Sequence, residues 1–129
     1  IYKKNLVIVT ASDKFFANSL FQLLENLKLQ DEIQEIIVYD LGMTQEQVNK
    51  LHSKYPDVIY KRFKFGDYPA FFKEVDEYGK MGAYAWKPAI IWEVLNEYKC
   101  QVVWLDTGNL INNRFKFVRI VFFVVINEV

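Results

Sequence analysis

Leu6-Val7-Ile8-Val9-Thr10-Ala11-Ser12-Asp13 is the stretch that decides the fold. Its first four residues are apolar without interruption, and three of them are β-branched. A half-exposed strand would alternate apolar with polar, whereas a continuous run suits a strand covered on both faces in a parallel sheet. From Thr10 the side chains turn small and polar, as they do where such a strand ends and a loop begins.

Reading outward, Phe16, Leu20, Leu23, Leu24 and Leu27 recur at helical spacing and form one apolar face. Ile36-Ile37-Val38-Tyr39 is a second buried-type strand, ending at Asp40. Thr44 and Gln47 have the spacing of a capping box, with Met43 and Val48 placed as a hydrophobic staple. Val48, Leu51 and Tyr55 continue the buried stripe of that helix, and Pro56 ends it. Residues 58–65 form a third strand, but Lys61, Arg62 and Lys64 interrupt it, so it belongs at a sheet edge guarded by charge. A long connection over residues 66–86 comes next, broken by Gly66, Pro69, Gly79 and Gly82. A connection of that length carries a short helix near residues 70–78 or serves function. Pro88 suits the first turn of a helix whose apolar face is Ile91, Val94, Leu95 and Tyr98. Val102-Val103-Trp104-Leu105 is the fourth strand and runs into Asp106. Residues 115–126 read as one more strand, with no place assigned in the sheet.

Strands alternating with helices predict an α/β fold with a mostly parallel sheet flanked by helices. With the charged strand at an edge, the simplest strand order is 3-2-1-4. The winding then reverses between strands one and four, and open α/β sheets bind ligands in the crevice at that point. Thr10, Ala11, Ser12 and Asp13, together with Asp40 and Asp106, are the strand-end residues placed near it.

Composition narrows the ligand. The chain has 129 residues, enough for one domain with a core. Sixteen basic residues balance sixteen acidic ones, so no net charge points to nucleic acid or to a membrane surface. The longest apolar run, residues 120–126, is far too short to span a bilayer. The turn after strand one lacks G-x-G-x-x-G, which argues against NAD or FAD, and no P-loop motif occurs. His52, the only histidine, falls mid-helix with no metal-ligand spacing around it and reads as a surface residue. Cys100, the only cysteine, reads as a core thiol beside an apolar run.

The segments Glu35 to Gly42, Tyr84-Ala85-Trp86-Lys87-Pro88 and Val103-Trp104-Leu105-Asp106-Thr107-Gly108, in this order after strand one, resemble GT-A glycosyltransferase-like domains. The resemblance is to a little-characterised family of that superfamily with W-K-P and W-x-D-[ST]-G motifs, and it covers residues 5–113. It implies a Rossmann-like GT-A half-domain that binds a UDP- or GDP-linked sugar donor and passes the sugar to an unknown acceptor. It also implies that Thr10, Ala11 and Asp13 face the nucleoside, with Ser12 among the residues binding the nucleotide-sugar, and that Asp40 approaches the base or ribose. Asp106 corresponds to the first acid of a D-x-D motif, which holds Mn²⁺ or Mg²⁺ against the diphosphate. Gly108 stands where the second acid would be, so Lys87 enters as a candidate positive charge for the diphosphate.

Plainer readings stand beside these. Asp106 can end a strand and cap residues 109–113, Asp40-Leu41-Gly42 can shape a turn, and Lys87 can be a solvated lysine. Trp86, Trp92 and Trp104 can all be packing residues. The rival function is a non-catalytic module that kept the fold without the chemistry. From Ile1 and the apolar close at Val129 we expect a piece cut on the acceptor side, binding donor but turning over weakly or not at all, with a truncated fragment without activity as the further alternative. The compartment stays open between a secretory lumen and a bacterial cytoplasm.

Overall fold

The computed structural model describes residues 6–29, 33–98, 101–107, 111–112, 116–117 and 124–126. Strand β1 spans Leu6–Asp13 and lies at the centre, buried along its whole middle. It pairs in parallel with β2 (Ile33–Gly42) on one side and with β4 (Gln101–Trp104) on the other. Strand β3 (Ile59–Arg62) adds in parallel to the outer side of β2. The parallel order is therefore 3-2-1-4, with the charge-interrupted strand at the edge as the sequence requires.

The structure places parts of the late apolar segment that the sequence left unassigned. At its start β6 (Lys116–Phe117) forms a separate antiparallel pair with β5 (Ile111–Asn112), which precedes the segment. Strand β7 (Val124–Ile126) runs antiparallel to β4 and completes a five-stranded sheet. Its backbone pairing covers the edge that β4 would otherwise present to solvent.

Two helices cover one face of the sheet. Helix α1 (Ala17–Leu27) buries Ala17, Leu20, Phe21, Leu23, Leu24 and Leu27 against Ile8, Val38 and Val103. Each such Leu contributes about 1.5–3 kcal/mol by leaving water. Phe16 is not part of that face. It occupies the N-cap position and is 56% exposed, so helical spacing alone placed it wrongly. Helix α2 (Gln45–Lys54) starts at the expected capping box, with Thr44 Oγ1 accepting from the Gln47 N–H and Gln47 Oε1 accepting from the Thr44 N–H. Such a cap is worth about 1 kcal/mol. The Tyr55 hydroxyl donates to Glu25 of α1 at 2.6 Å, tying the two helices together.

The opposite face carries α3 (Trp86–Tyr98), whose deepest residues are Ile90 and Val94. Pro88 falls in its first turn, where the missing N–H costs nothing. With α1 and α2 on one face and α3 on the other, the chain steps outward from β1 to β3 and then crosses back to β4. Phe63, Tyr68 and Phe72 stack beside α3 and carry the long connection over that face. The short helix expected near residues 70–78 is a 3-10 turn at Ala70–Lys73, and two more such turns, at Phe65–Asp67 and Gly82–Tyr84, stand on either side of it. Lys61 of the edge strand forms an ion pair with Glu97 of α3, so its charge ties strand to helix as well as guarding the edge.

Candidate functional site

Strand β4 delivers Trp104 into the core and Asp106 to the crevice just beyond its end. Trp104 is 1% exposed, and its indole Nε1–H donates to Asp106 Oδ1 at 2.8 Å. The same oxygen meets Lys87 Nζ at 3.0 Å. Lys87 comes from the first turn of α3, so the ion pair joins the two elements that flank the switch point. Three aromatic rings surround the ammonium: Tyr84 and Trp104 at 5.6 Å and Trp86 at 6.0 Å from their centroids. Each such cation–π contact is worth about 0.5–1 kcal/mol at an exposed site and about 2 when desolvated.

Tyr84 reaches this cluster through unusual backbone. Gly82, Ala83 and Tyr84 have φ of 58°, 49° and 63°, a left-handed turn in which two residues carry side chains. Left-handed backbone costs a non-glycine residue roughly 1–2 kcal/mol. Several contacts over-determine it: the Gly82 N–H donates to the Glu74 carbonyl at 2.7 Å, the Tyr84 N–H to Met81 at 3.0 Å, and the Trp86 indole N–H to the Met81 carbonyl at 3.2 Å. Gly82 is also packed so tightly on Phe72 that a β-carbon would lie 2.5 Å from the Phe72 carbonyl oxygen. Strain held in this way marks functional segments more often than ordinary turns. Upstream, Asp76 Oδ1 accepts from the N–H groups of Tyr78 and Lys80, bending the chain so that Tyr78 stands at the cleft, 78% exposed.

The resulting cleft measures about 450 Å³, and Ala11, Ser12 and Asp13 form its β1 wall while Lys87 and Asp106 form the opposite side. That volume lies within the roughly 300–1,000 Å³ of small-molecule sites. Of the residues expected at the rim, five are brought together: Ala11, Ser12, Asp13, Lys87 and Asp106. Thr10 is not among them. It is fully buried within β1, and its hydroxyl has no partner among the described residues. Asp13 Oδ1 accepts from the N–H groups of Phe15 and Phe16 and so shapes the entry to α1.

Asp40 does not line this cleft. Its Oδ1 accepts from the N–H groups of Gly42 and Met43 at 2.8 and 2.6 Å, and its Oδ2 accepts the Tyr60 hydroxyl at 2.5 Å. Burial, then the bond and charge of Asp40, push the Tyr60 phenol up to about 12. The plain turn-forming reading holds there. His52 is exposed and stacks edge-on near Tyr60, as a surface histidine. Trp92 is 66% exposed, so it is not the packing residue expected. Trp86 and Trp104 pack against each other at 6.0 Å and also wall the cleft. The aromatic residues Phe16, Tyr78 and Tyr84 also line the cleft and were not anticipated there. Only the glycines at 79 and 82 signalled that the long connection bends back towards the sheet. Cys100 and Gly108 lie outside the described residues.

A divalent metal on Asp106 would compete with the groups that already hold its carboxylate. Among the described residues no three His, Cys, Asp or Glu side chains gather, and the Asp106 oxygen already serves an ammonium and an indole N–H. An ion of charge two on that oxygen would face the ammonium across about 4 Å. The repulsion is roughly 8 kcal/mol at an effective dielectric of about 20, before solvent screening.

A parallel 3-2-1-4 sheet between helical layers, with its cleft at the reversal of winding, is a Rossmann-like α/β arrangement, and solved structures similar to it have the GT-A type of fold. Residues 2–91 match the family described as a protein of unknown function (DUF1647), and the chain belongs to that family. The match takes in β1 to the middle of α3, Lys87 included. No curated protein matches the chain. Among solved structures, the apo bifunctional glycosyltransferase WbbM is similar at TM-score 0.58 and 18% identity, over 88% of this chain and 20% of WbbM. The mannosyltransferase PcManGT from Pyrobaculum calidifontis, solved with GDP-Man and Mn²⁺, is similar at TM-score 0.52 and 21% identity, over 88% of this chain and 30% of its own. An active-site mutant of LgtC is similar at TM-score 0.56 and 21% identity, over 81% of this chain and 38% of its own. The chain thus spans between 20% and 38% of the length of these structures. Among the described residues, no helix is long and apolar enough to cross a membrane.

Proposed function

We propose that the cleft binds the nucleoside diphosphate of a UDP- or GDP-linked sugar, and that the protein carrying it transfers the sugar to an acceptor. The observation that carries this reading is the Lys87–Asp106 pair, seated among three aromatic rings at the switch point of the sheet. An anionic ligand with an apolar, stackable ring suits that combination of fixed cation and aromatic wall. The small side chains of Ala11 and Ser12 let a nucleoside approach the β1 backbone, with Asp13 beside it, and Lys87 is the natural partner of the phosphates. The similarity to PcManGT supports the donor class, because that structure holds GDP-Man. That structure also holds Mn²⁺, which supports a divalent metal with the donor; if such an ion sat on Asp106, the lysine already on that carboxylate would oppose it.

In the transfer, the bond between the anomeric carbon and the diphosphate oxygen breaks and its electron pair leaves with the diphosphate. An acceptor hydroxyl oxygen forms the new bond, and its proton passes to solvent or a base. A nucleotide-binding module without transfer is the second reading, favoured by the neutralisation of Asp106 by Lys87.

Calorimetric titration with UDP, GDP and their sugar conjugates tests the binding, and release of nucleoside diphosphate from the conjugates tests the transfer. Saturable binding of one nucleotide class is the expected result. A folded chain that binds none of them loses the sugar-nucleotide reading, whereas binding without release leaves the non-catalytic module.

A further inference from the structure

We infer that Lys87 is the fixed counter-ion of the donor's diphosphate, and that Asp106 acts by positioning this lysine rather than by holding a metal. The inference rests on the nucleotide-sugar reading above and gives that site a specific consequence: nucleotide binding without a divalent cation.

Three observations carry it. First, Asp106 Oδ1 is held from two sides, by the Lys87 ammonium at 3.0 Å and the Trp104 indole N–H at 2.8 Å. The indole fixes the carboxylate, and the carboxylate fixes the lysine. Second, the lysine side chain is only 19% exposed and its charge lies between the rings of Tyr84, Trp86 and Trp104. Those rings restrict the long stem, so less freedom is lost when a ligand arrives. Third, Asp106 accounts for one of three ammonium N–H donors, and Lys87 itself lines the cleft. The remaining donors are available to phosphate oxygens.

A diphosphate gathers negative charge as the sugar leaves, and a charge already in place stabilises it without reorganisation. A divalent ion would supply the same stabilisation, but it would have to evict the ammonium from Asp106. The two devices are alternatives, and this geometry holds the lysine. Asp106 then serves as a positioning residue.

The test is calorimetric titration of the 129-residue chain with UDP, GDP, UMP and GMP, in EDTA and again with Mn²⁺. In EDTA the diphosphate binds about tenfold or more tightly than the monophosphate, the scale of one charge-assisted contact. Adding Mn²⁺ changes this by less than about threefold. Lys87→Met abolishes the preference for diphosphate, and Lys87→Arg retains most of it. Asp106→Asn weakens diphosphate binding while leaving monophosphate binding in place. Should Lys87→Met fail to fold by circular dichroism, the wild-type comparison of diphosphate with monophosphate in EDTA decides alone. Nucleotide binding that requires Mn²⁺, or that is indifferent to Lys87, overturns the inference and leaves the nucleotide-sugar reading intact. No nucleotide binding under either condition overturns both.

Discussion

Asp40 and Asp106 stand at the ends of parallel strands in one sheet, β2 and β4, on either side of β1. Their surroundings make them different residues. Asp40 is 6% exposed, and its two oxygens are consumed by the N–H groups of Gly42 and Met43 and by the Tyr60 hydroxyl. Asp106 is held by a cation and an indole at the edge of a cleft. A strand-end acid at a switch point is therefore left to face a cleft only where the backbone just after it does not claim it. After β2 the chain turns tightly into α2, and its free amides take the carboxylate. On the other side, α3 brings a lysine instead, because the left-handed turn at Gly82 aims the helix start at the end of β4.

The largest effect should come from that turn. Gly82→Val places a side chain against the Phe72 carbonyl at positive φ, and we expect a loss of roughly 3 kcal/mol in urea unfolding. Gly66→Ala, at a glycine with open space around it, is the control. If Gly82→Val is as harmless as the control, the turn is not what sets α3. Next, Asp40→Ala should cost about 2 kcal/mol through two orphaned amides and a lost hydroxyl partner, with nucleotide affinity unchanged. A loss of nucleotide binding at wild-type stability would erase the distinction between the two acids.

The tyrosines sharpen the comparison through pH. Burial, then bonds to carboxylates, raise Tyr60 and Tyr68 from 10.0 to about 12. Both groups are neutral in the fold and hold their proton more tightly than in the unfolded chain. Their contribution is therefore complete below about pH 10 and is lost as pH rises through about 12. Stability measured from about pH 9 to about pH 12 should fall across that window. In Asp40→Ala the Tyr60 titration, followed by ultraviolet absorbance, should move back towards 10.0. A smaller effect belongs to the cleft itself, where Lys87→Met should cost nucleotide binding about tenfold with little change in folding. Trp92→Gln, on exposed α3 surface, should change stability by no more than about 0.5 kcal/mol.

Much of the fold was legible because strands covered by helices on both faces demand continuous apolar runs, and Leu6 to Val9, Ile36 to Tyr39 and Val102 to Leu105 supply them. Thr44 and Gln47 announced α2 by local chemistry alone, and Lys61 with Arg62 marked the edge. The site was legible only by position. Strand-end placement gave Asp40 and Asp106 the same standing, because the hydrogen bonds that separate them come from neighbours across the sheet. Phe16 fitted the α1 stripe by spacing, yet the Asp13 turn holds it ahead of the helix. The turn at Gly82 was hidden for a further reason: Ala83 and Tyr84 carry no preference for left-handed backbone, and only tertiary packing on Phe72 imposes it. The exposed Trp92 shows the converse, since an aromatic side chain does not by itself choose the core.

The three tryptophans offer the most direct test that the β4–α3 cleft is the nucleotide site. Trp104 donates its indole N–H to Asp106 and Trp86 donates its own to Met81 beside the cleft, while Trp92 stands away on the surface. Titrating UDP and GDP into ¹⁵N-labelled chain should shift the indole signals of Trp104 and Trp86 and leave Trp92 as an internal reference. Saturable binding that leaves Trp104 and Trp86 unmoved would contradict the account and place the nucleotide elsewhere.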